Sequence, residues 1–325
     1  WTRLPDVDLP FPISNYAWMN DGKAILAFGK KGVPRIVSLL ASTPASPESG
    51  RADIVSGMGA AVALDRDGGR LAVVAGEGGA AHIDVWDLKA GAPSRRMSTD
   101  GAEKKYFHGE SRLLFTPDGS RLVFTGAKGI EVWDTQTATK KFTLPGSKNV
   151  SLAGDGRLLA AGAGVDGLLL YDIQSGTRVA ALKGPVSGGG VADIGPVAVS
   201  PDGRWVAGHQ NGKGGTVRIW NVQSGQEASA RPSFGGSSLL QFDQKGRLYY
   251  QGDYSGGRPL AVWDPERGEG LDPPAKVGEV ISRWSYGNGR FALCCVGETR
   301  IMDTESGKLW SLRDSRFIGG KVDDI

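Results

Sequence analysis

Two kinds of short segment alternate along this chain, and their alternation limits the fold more than any other feature. One kind is an apolar strand end closed by an aromatic and a polar residue. It occurs as IDVWD (83–87), IEVWD (130–134), LLLYD (168–172), VRIWN (217–221) and LAVWD (260–264), with weaker copies in TRIMD (299–303) and PRIVS (34–38). The other kind is a glycine turn: MNDGK (19–23), DRDGGR (65–70), TPDGSR (116–121), AGDGR (153–157), SPDGR (200–204), DQKGR (243–247) and YGNGR (286–290). Seven of each interleave without exception. The turn glycines Gly22, Gly68, Gly119, Gly156, Gly203, Gly246 and Gly289 are 46, 51, 37, 47, 43 and 43 residues apart.

Each period reads the same way. An apolar strand such as VAVS (197–200) leads into a tight turn. There Pro presets φ at one position and Gly supplies a positive φ at another. A second apolar strand, as in RWVAG (204–208), is followed by a glycine-rich loop and then by the strand with the aromatic. Turns such as IQSG (173–176), VQSG (222–225) and TESG (304–307) lead into a polar fourth strand, as in KLWSLR (308–313). Strands such as VAVS and LLLYD are apolar on both sides, which suits a sheet covered on both faces. No stretch combines a 3.6-residue period with helix caps, so helices should be nearly absent.

These matched periods resemble the WD-repeat β-propeller family, over residues 13 to 313. Their spacing falls in the range of about 40–45 residues per four-stranded blade. The resemblance implies an all-β, seven-bladed β-propeller of four-stranded antiparallel blades with essentially no helix. The whole of 1–325 is then one domain, with blades at 13–41, 52–98, 110–145, 148–183, 194–231, 237–271 and 279–313 and a tail at 314–325. One departure stands out. The family's hydrogen-bond network uses a Gly-His pair before the first strand, and none stands there: His108-Gly109 is reversed, and Gly208-His209 lies in a different loop. The chain is therefore similar to degenerate, bacterial-type members.

A four-stranded sheet alone leaves two apolar faces in water, whereas stacked sheets cover both. Trp86, Trp133, Tyr171, Trp220 and Trp263 are expected to fill the space between neighbouring blades, as structural rather than ligand-stacking residues. The Asp that follows the aromatic should hydrogen-bond the next turn. The ring seam has two competing outer strands, Thr2–Val7 and KLWSLR, and the second is favoured because it follows its own blade's turn. The chain begins with Trp1, and FIGGKVDDI (317–325) reads like the start of a further repeat, so a domain excised from a longer protein is expected. ASTPASPESGR (41–51) is read as a flexible loop between blades.

Composition narrows the functional classes. There are 38 basic and 35 acidic residues, a net charge of +3, which gives no reason to expect a nucleic-acid or membrane partner. Cys294 and Cys295 are adjacent, and neighbouring strand positions point to opposite faces, so they are expected to be buried free thiols. The lack of a disulfide framework and of any apolar run approaching the ~18 residues of a membrane span leaves the compartment open and favours the cytoplasm only slightly. His82, His108 and His209 show no ligand spacing, so no metal and no cofactor are expected.

What remains is the variable rim. EKKYFHGE (103–110), GHQNGKGG (208–215) and QGDYSGGRP (251–259) offer Tyr106, Phe107, His108, His209, Tyr254 and Arg258, a mixture of aromatic and polar groups typical of interface anchors. The expected function is a non-catalytic scaffold or sensor module, a monomeric domain that binds a protein or peptide on this rim. The alternative is a channel-mouth enzyme like the propeller lactonases, lyases and quinoproteins, for which Asp193, Asp253 and Arg283 are the available polar groups.

Overall fold

A computed structural model of the chain describes residues 7–8, 13–19, 24–29, 35–38, 62–67, 69–75, 81–87, 92–100, 112–126, 128–146, 149–164, 167–182, 194–210, 216–228, 240–251, 260–272, 284–287, 291–296, 298–303 and 309–313. Among them there is no α-helix, and the strands form seven sheets. A short strand, β1 (Val7–Asp8), comes first. Sheet 1 holds β2 (Ile13–Met19), β3 (Ala24–Gly29) and β4 (Arg35–Ser38). Sheet 2 holds β5 (Val62–Leu64), β6 (Arg70–Ala75), β7 (His82–Asp87) and β8 (Ala92–Ser98). Sheet 3 holds β9 (Leu113–Phe115), β10 (Arg121–Gly126), β11 (Gly129–Asp134) and β12 (Thr139–Leu144).

Sheet 4 holds β13 (Val150–Leu152), β14 (Leu158–Gly162), β15 (Leu168–Asp172) and β16 (Thr177–Leu182). Sheet 5 holds β17 (Ile194–Val199), β18 (Trp205–Gln210) and β19 (Thr216–Asn221). Sheet 6 holds β20 (Leu240–Phe242), β21 (Leu248–Gln251), β22 (Leu260–Asp264) and β23 (Glu269–Leu271). Sheet 7 holds β24 (Trp284–Gly287), β25 (Phe291–Val296), β26 (Glu298–Asp303) and β27 (Leu309–Arg313). Consecutive strands within each sheet pair antiparallel.

The expectation of four strands in every sheet needs two adjustments. Sheets 1 and 5 show three strands among the described residues. Sheet 7 has five, because β1 adds to β27 in parallel, with Val7 opposite Leu312 and Asp8 opposite Arg313. The two seam candidates therefore do not compete. KLWSLR takes the fourth position, and its outer edge remains open for the N-terminal strand to pair with. Cys294 and Cys295 are consecutive in β25, opposite Arg300 and Thr299 of β26.

Strand alternation explains the packing between sheets. On sheet 4, Leu159, Ala161, Leu169 and Tyr171 pack with Val123, Ile130, Val132 and Leu144 of sheet 3. The intervening positions Ala160, Leu168 and Leu170 pack with Val197, Val199, Val206 and Trp220 of sheet 5. Period-two side-chain direction sends neighbours to opposite faces, so a strand apolar at every position fits only between two other sheets. Ala198, Ala207, Val217 and Ile219 carry the stack from sheet 5 to Leu240, Phe242, Leu248 and Tyr250 of sheet 6. Each fully buried Leu or Val contributes roughly 1.5–3 kcal/mol.

The third-strand aromatic sits at these boundaries. Trp133 of sheet 3 packs into a cluster with Val74, Ile83, Val85 and Met97 of sheet 2. Tyr171 and Trp220 lie likewise against sheets 3 and 4, and the half-buried Trp263 packs against the sheet 5–sheet 6 cluster. In each case the aromatic turns toward the preceding sheet. First strands also neighbour one another: β2 with β5, β5 with β9, β13 with β17, and β17 with β20. At the ends of the series, β24 of sheet 7 lies against β2 of sheet 1.

Candidate functional site

Each first strand runs from a loop end, where the second strand also finishes, to a turn end, where the glycine turn leads into the second strand. The two ends carry different chemistry. The turn end is tightly bonded. Asp134 Oδ1 accepts the N–H groups of Gln136 and Thr137 at 3.0 and 2.9 Å, and Asp172 Oδ1 accepts those of Gln174 and Ser175 at 3.0 Å each. Asp264 does the same for Glu266 and Arg267, and Asn221 for Ser224. The residue after the aromatic thus holds the turn between third and fourth strands, as a short polar side chain at such a position can.

The arginine that ends the first turn adds a second tie. Arg121 donates to Asp134 and Arg157 to Asp172, both at 2.8 Å. Where the turn opens with Asp, the arginine holds that Asp: Arg70 pairs with Asp65 and Arg247 with Asp243. At Asp172 and Asp134 these bonds favour the ionised carboxylate. The hydrogen bond from Arg157 and those from the Ser175 and Gln174 N–H groups pull Asp172 down to about 2, and the Thr137 N–H is the largest influence holding Asp134 below the usual carboxylate range.

Neighbouring turns also touch. Arg70 of sheet 2 reaches across to donate to the Gly119 carbonyl at 3.1 Å and to Thr135 at 3.3 Å in sheet 3. Gly154 of sheet 4 donates to the Pro201 carbonyl of sheet 5 at 3.0 Å. Gly119 stands at φ 65°, and a Cβ there would have to displace the Arg70 guanidinium.

Inside the stack, a charged residue recurs two positions before the aromatic. Asp84, Glu131 and Arg218 are all buried. Asp84 pairs with Arg96, its cross-strand neighbour, at 2.7 Å, and lies 3.3 Å from His82. Glu131 accepts the Trp133 indole N–H at 3.0 Å and the Asp100 backbone N–H at 3.0 Å. Lys140 sits beside both Glu131 and Asp100, and its ammonium lowers the Asp100 carboxyl. Arg218 donates to both Glu227 carboxylate oxygens, at 2.9 and 2.8 Å. These groups escaped sequence reasoning. Their signal was a charge inside strands already expected to be covered on both faces.

At the loop end, most of the expected rim lies outside the described residues: Tyr106, Phe107, His108, Tyr254 and Arg258, and also Asp193, Asp253 and Arg283. His209 is described, and it corrects the expectation. It sits in β18 opposite Val217, only 4% exposed, rather than on a loop. The second strand of sheet 5 extends past Gly208 to Gln210, which pairs with Thr216 and draws the histidine into the sheet. Among the described residues, no group of three or more His, Cys, Asp and Glu side chains could hold a metal ion.

One loop-end residue stands apart. Arg112 directly precedes β9, four residues after His108. Its N–H donates to the buried Thr125 hydroxyl at 2.8 Å, and its carbonyl accepts the Thr125 N–H at 3.0 Å, which fixes the backbone. Compared with protein-family models and with curated proteins, the chain has no match.

Proposed function

We propose that the seven sheets are the blades of a closed WD-type β-propeller, and that the chain is a non-catalytic interaction scaffold presenting its loop-end rim to a protein or peptide. The observation that carries this reading is serial packing. Trp133, Tyr171, Trp220 and Trp263 each meet the preceding sheet, and the last sheet neighbours the first. A series of sheets covered on both faces, with its ends adjacent, is what radial closure requires. The carboxylates after the aromatics support the non-catalytic half of the reading, because Asp134, Asp172 and Asp264 are engaged by the turns they hold. A stiff body with turns bonded at one end leaves variation to the loops at the other, where recognition is commonly built.

The test is affinity capture with the full chain as bait, beside Tyr106→Ala/Tyr254→Ala. A partner retained by the parent and lost from the variant, at an unchanged melting temperature, is the expected result. Capture that ignores both substitutions would refute the rim as the binding surface. Radial closure is tested separately by electron microscopy, where any number of blades other than seven would refute it.

A further inference from the structure

We propose that the outer edge of β27 is a strand-docking site, where an extended segment of a protein partner adds in parallel by displacing β1. This surface is the outer side of sheet 7 rather than the loop-end rim, and the inference does not rest on the rim reading.

The outer edges of the sheets are not alike. On sheets 2, 3 and 4 the ladder between third and fourth strands shifts register directly before the aromatic, between Val85 and Trp86, Val132 and Trp133, and Leu170 and Tyr171. Each shift leaves one extra residue on the outer strand: Ser94, Lys141 and Val179. The same strands carry Arg95 and Arg96, Lys140 and Lys141, and Arg178. A bulge bends and twists an edge, and cationic side chains keep other strands off it.

Sheet 7 has neither device. Its fourth strand pairs in unbroken register, from Thr299 opposite Leu312 to Met302 opposite Leu309, and LWSLR holds a single charge, at Arg313. The ladder to β23 of sheet 6 is also regular, but that strand has three residues and opens with Glu269. A straight, mostly apolar edge is what another strand adds to, and β27 is where a fifth strand is found.

The present occupant covers only part of that edge. Val7 and Asp8 pair with Leu312 and Arg313, and among the described residues no strand lies beyond Leu309, Trp310 and Ser311. The same register carried back along the sequence sets Pro5 against Trp310, and proline has no N–H to give a ladder. The tether is short as well. Five Cα steps separate Asp8 from Ile13, and β2 lies against β24, at the far side of the order β1-β27-β26-β25-β24. Five extended steps reach about 17–18 Å, and four strand spacings come to about 19 Å. β1 therefore holds two positions near the end of its reach, whereas a free peptide can pair along the whole of β27.

What sits on the edge defines the ligand. β1 runs parallel to β27, with an apolar residue opposite Leu312 and a carboxylate opposite Arg313. The edge offers its backbone groups to any extended chain, and the side chains placed along it select among them. The partner segment is thus extended and free of proline, with an acidic residue directly after an apolar one.

The test uses the full chain and a fluorescein-labelled peptide copying Thr2–Asp8 with Pro5→Val, TRLVDVD. Fluorescence anisotropy should show saturable binding. A strand bonds its neighbour through alternate residues, so two copies N-methylated on the two alternate sets of amides should differ by at least about tenfold. Val7→Pro in the chain removes the internal competitor and should tighten peptide binding about tenfold. Arg313→Glu should weaken TRLVDVD about threefold, and Lys in place of its last Asp should restore the loss. Absence of saturable binding to both the parent and the Val7→Pro chain overturns the proposal. So does equal affinity for the two methylated copies, or a Val7→Pro chain that binds no tighter than the parent. A dimer of the parent that excludes the peptide would assign the edge to a second copy and would equally overturn it. Peptide binding lost in Tyr106→Ala/Tyr254→Ala would move the peptide to the rim and sink the edge, whereas partner capture that fails with peptide binding intact would sink the rim alone.

Discussion

Glu131 accepts the indole N–H of Trp133, two residues further along the same strand, at 3.0 Å. Both side chains are buried on the face that meets sheet 2, and the other carboxylate oxygen of Glu131 takes the Asp100 N–H just past the last strand of that sheet. One carboxylate therefore orients the aromatic and ties the neighbouring sheet to it.

Trp133→Ala should cost about 3–5 kcal/mol, the range for removing a large buried aromatic. Glu131→Ala should cost about 1–3 kcal/mol by leaving a buried indole N–H and a backbone N–H without their acceptor. Because the two residues share a bond, the double variant should cost less than the sum of the singles. Chemical denaturation of the four-member cycle measures the difference, and strict additivity would mean that the bond contributes nothing.

Acid should weaken the turn of sheet 4. Asp172 has a folded pKa of about 2 against an ordinary value of 3.8, chiefly through the Arg157 hydrogen bond. A carboxylate with a depressed folded pKa stabilises the fold above its unfolded value, and that contribution disappears as pH falls through the folded one. The melting temperature should therefore drop between about pH 4 and pH 2, and Asp172→Asn should show a shallower drop from a lower starting point. Identical slopes for parent and variant would show that Asp172 does not govern the transition.

The Arg218–Glu227 pair lies against the boundary with sheet 4 and is largely removed from water. Breaking one side of such a pair is far worse than replacing both. Glu227→Ala should destabilise on the order of 3 kcal/mol, while Arg218→Met with Glu227→Leu should recover much of the loss. Thermal unfolding of the three variants tests the order.

Gly119→Ala should be costly for two reasons: a positive φ of 65°, and a Cβ directed into the Arg70 guanidinium. Gly246→Ala, at φ 76° with open space around the added carbon, isolates the first reason. The excess loss at Gly119, about 1 kcal/mol or more, measures the tie between sheets 2 and 3, and Arg70→Ala should erase that excess.

The sequence made the strand ends and turns legible because each depends on local chemistry: glycine where φ is positive, Asp where turn N–H groups need an acceptor, an aromatic where sheets meet. It hid what depends on two strands at once. Glu131 and Arg218 were not singled out, because what buries them is the neighbouring sheet, although alternation alone puts each on the same side of its strand as Trp133 and Trp220. His209 looked like a loop residue because glycines surround it, and only the pairing of Gln210 with Thr216 carries the strand through it. For β1, the sequence offered Thr2–Val7 as an outer strand but not that it would add to the free edge of β27 instead of replacing it.

That parallel edge has a mechanical consequence. Force applied at the two termini would drag β1 and β27 past each other lengthwise. The Val7–Leu312 and Asp8–Arg313 contacts would then be loaded together rather than peeled open in turn. Tension on the chain ends would be resisted first at this edge, before it reaches the interior of any sheet.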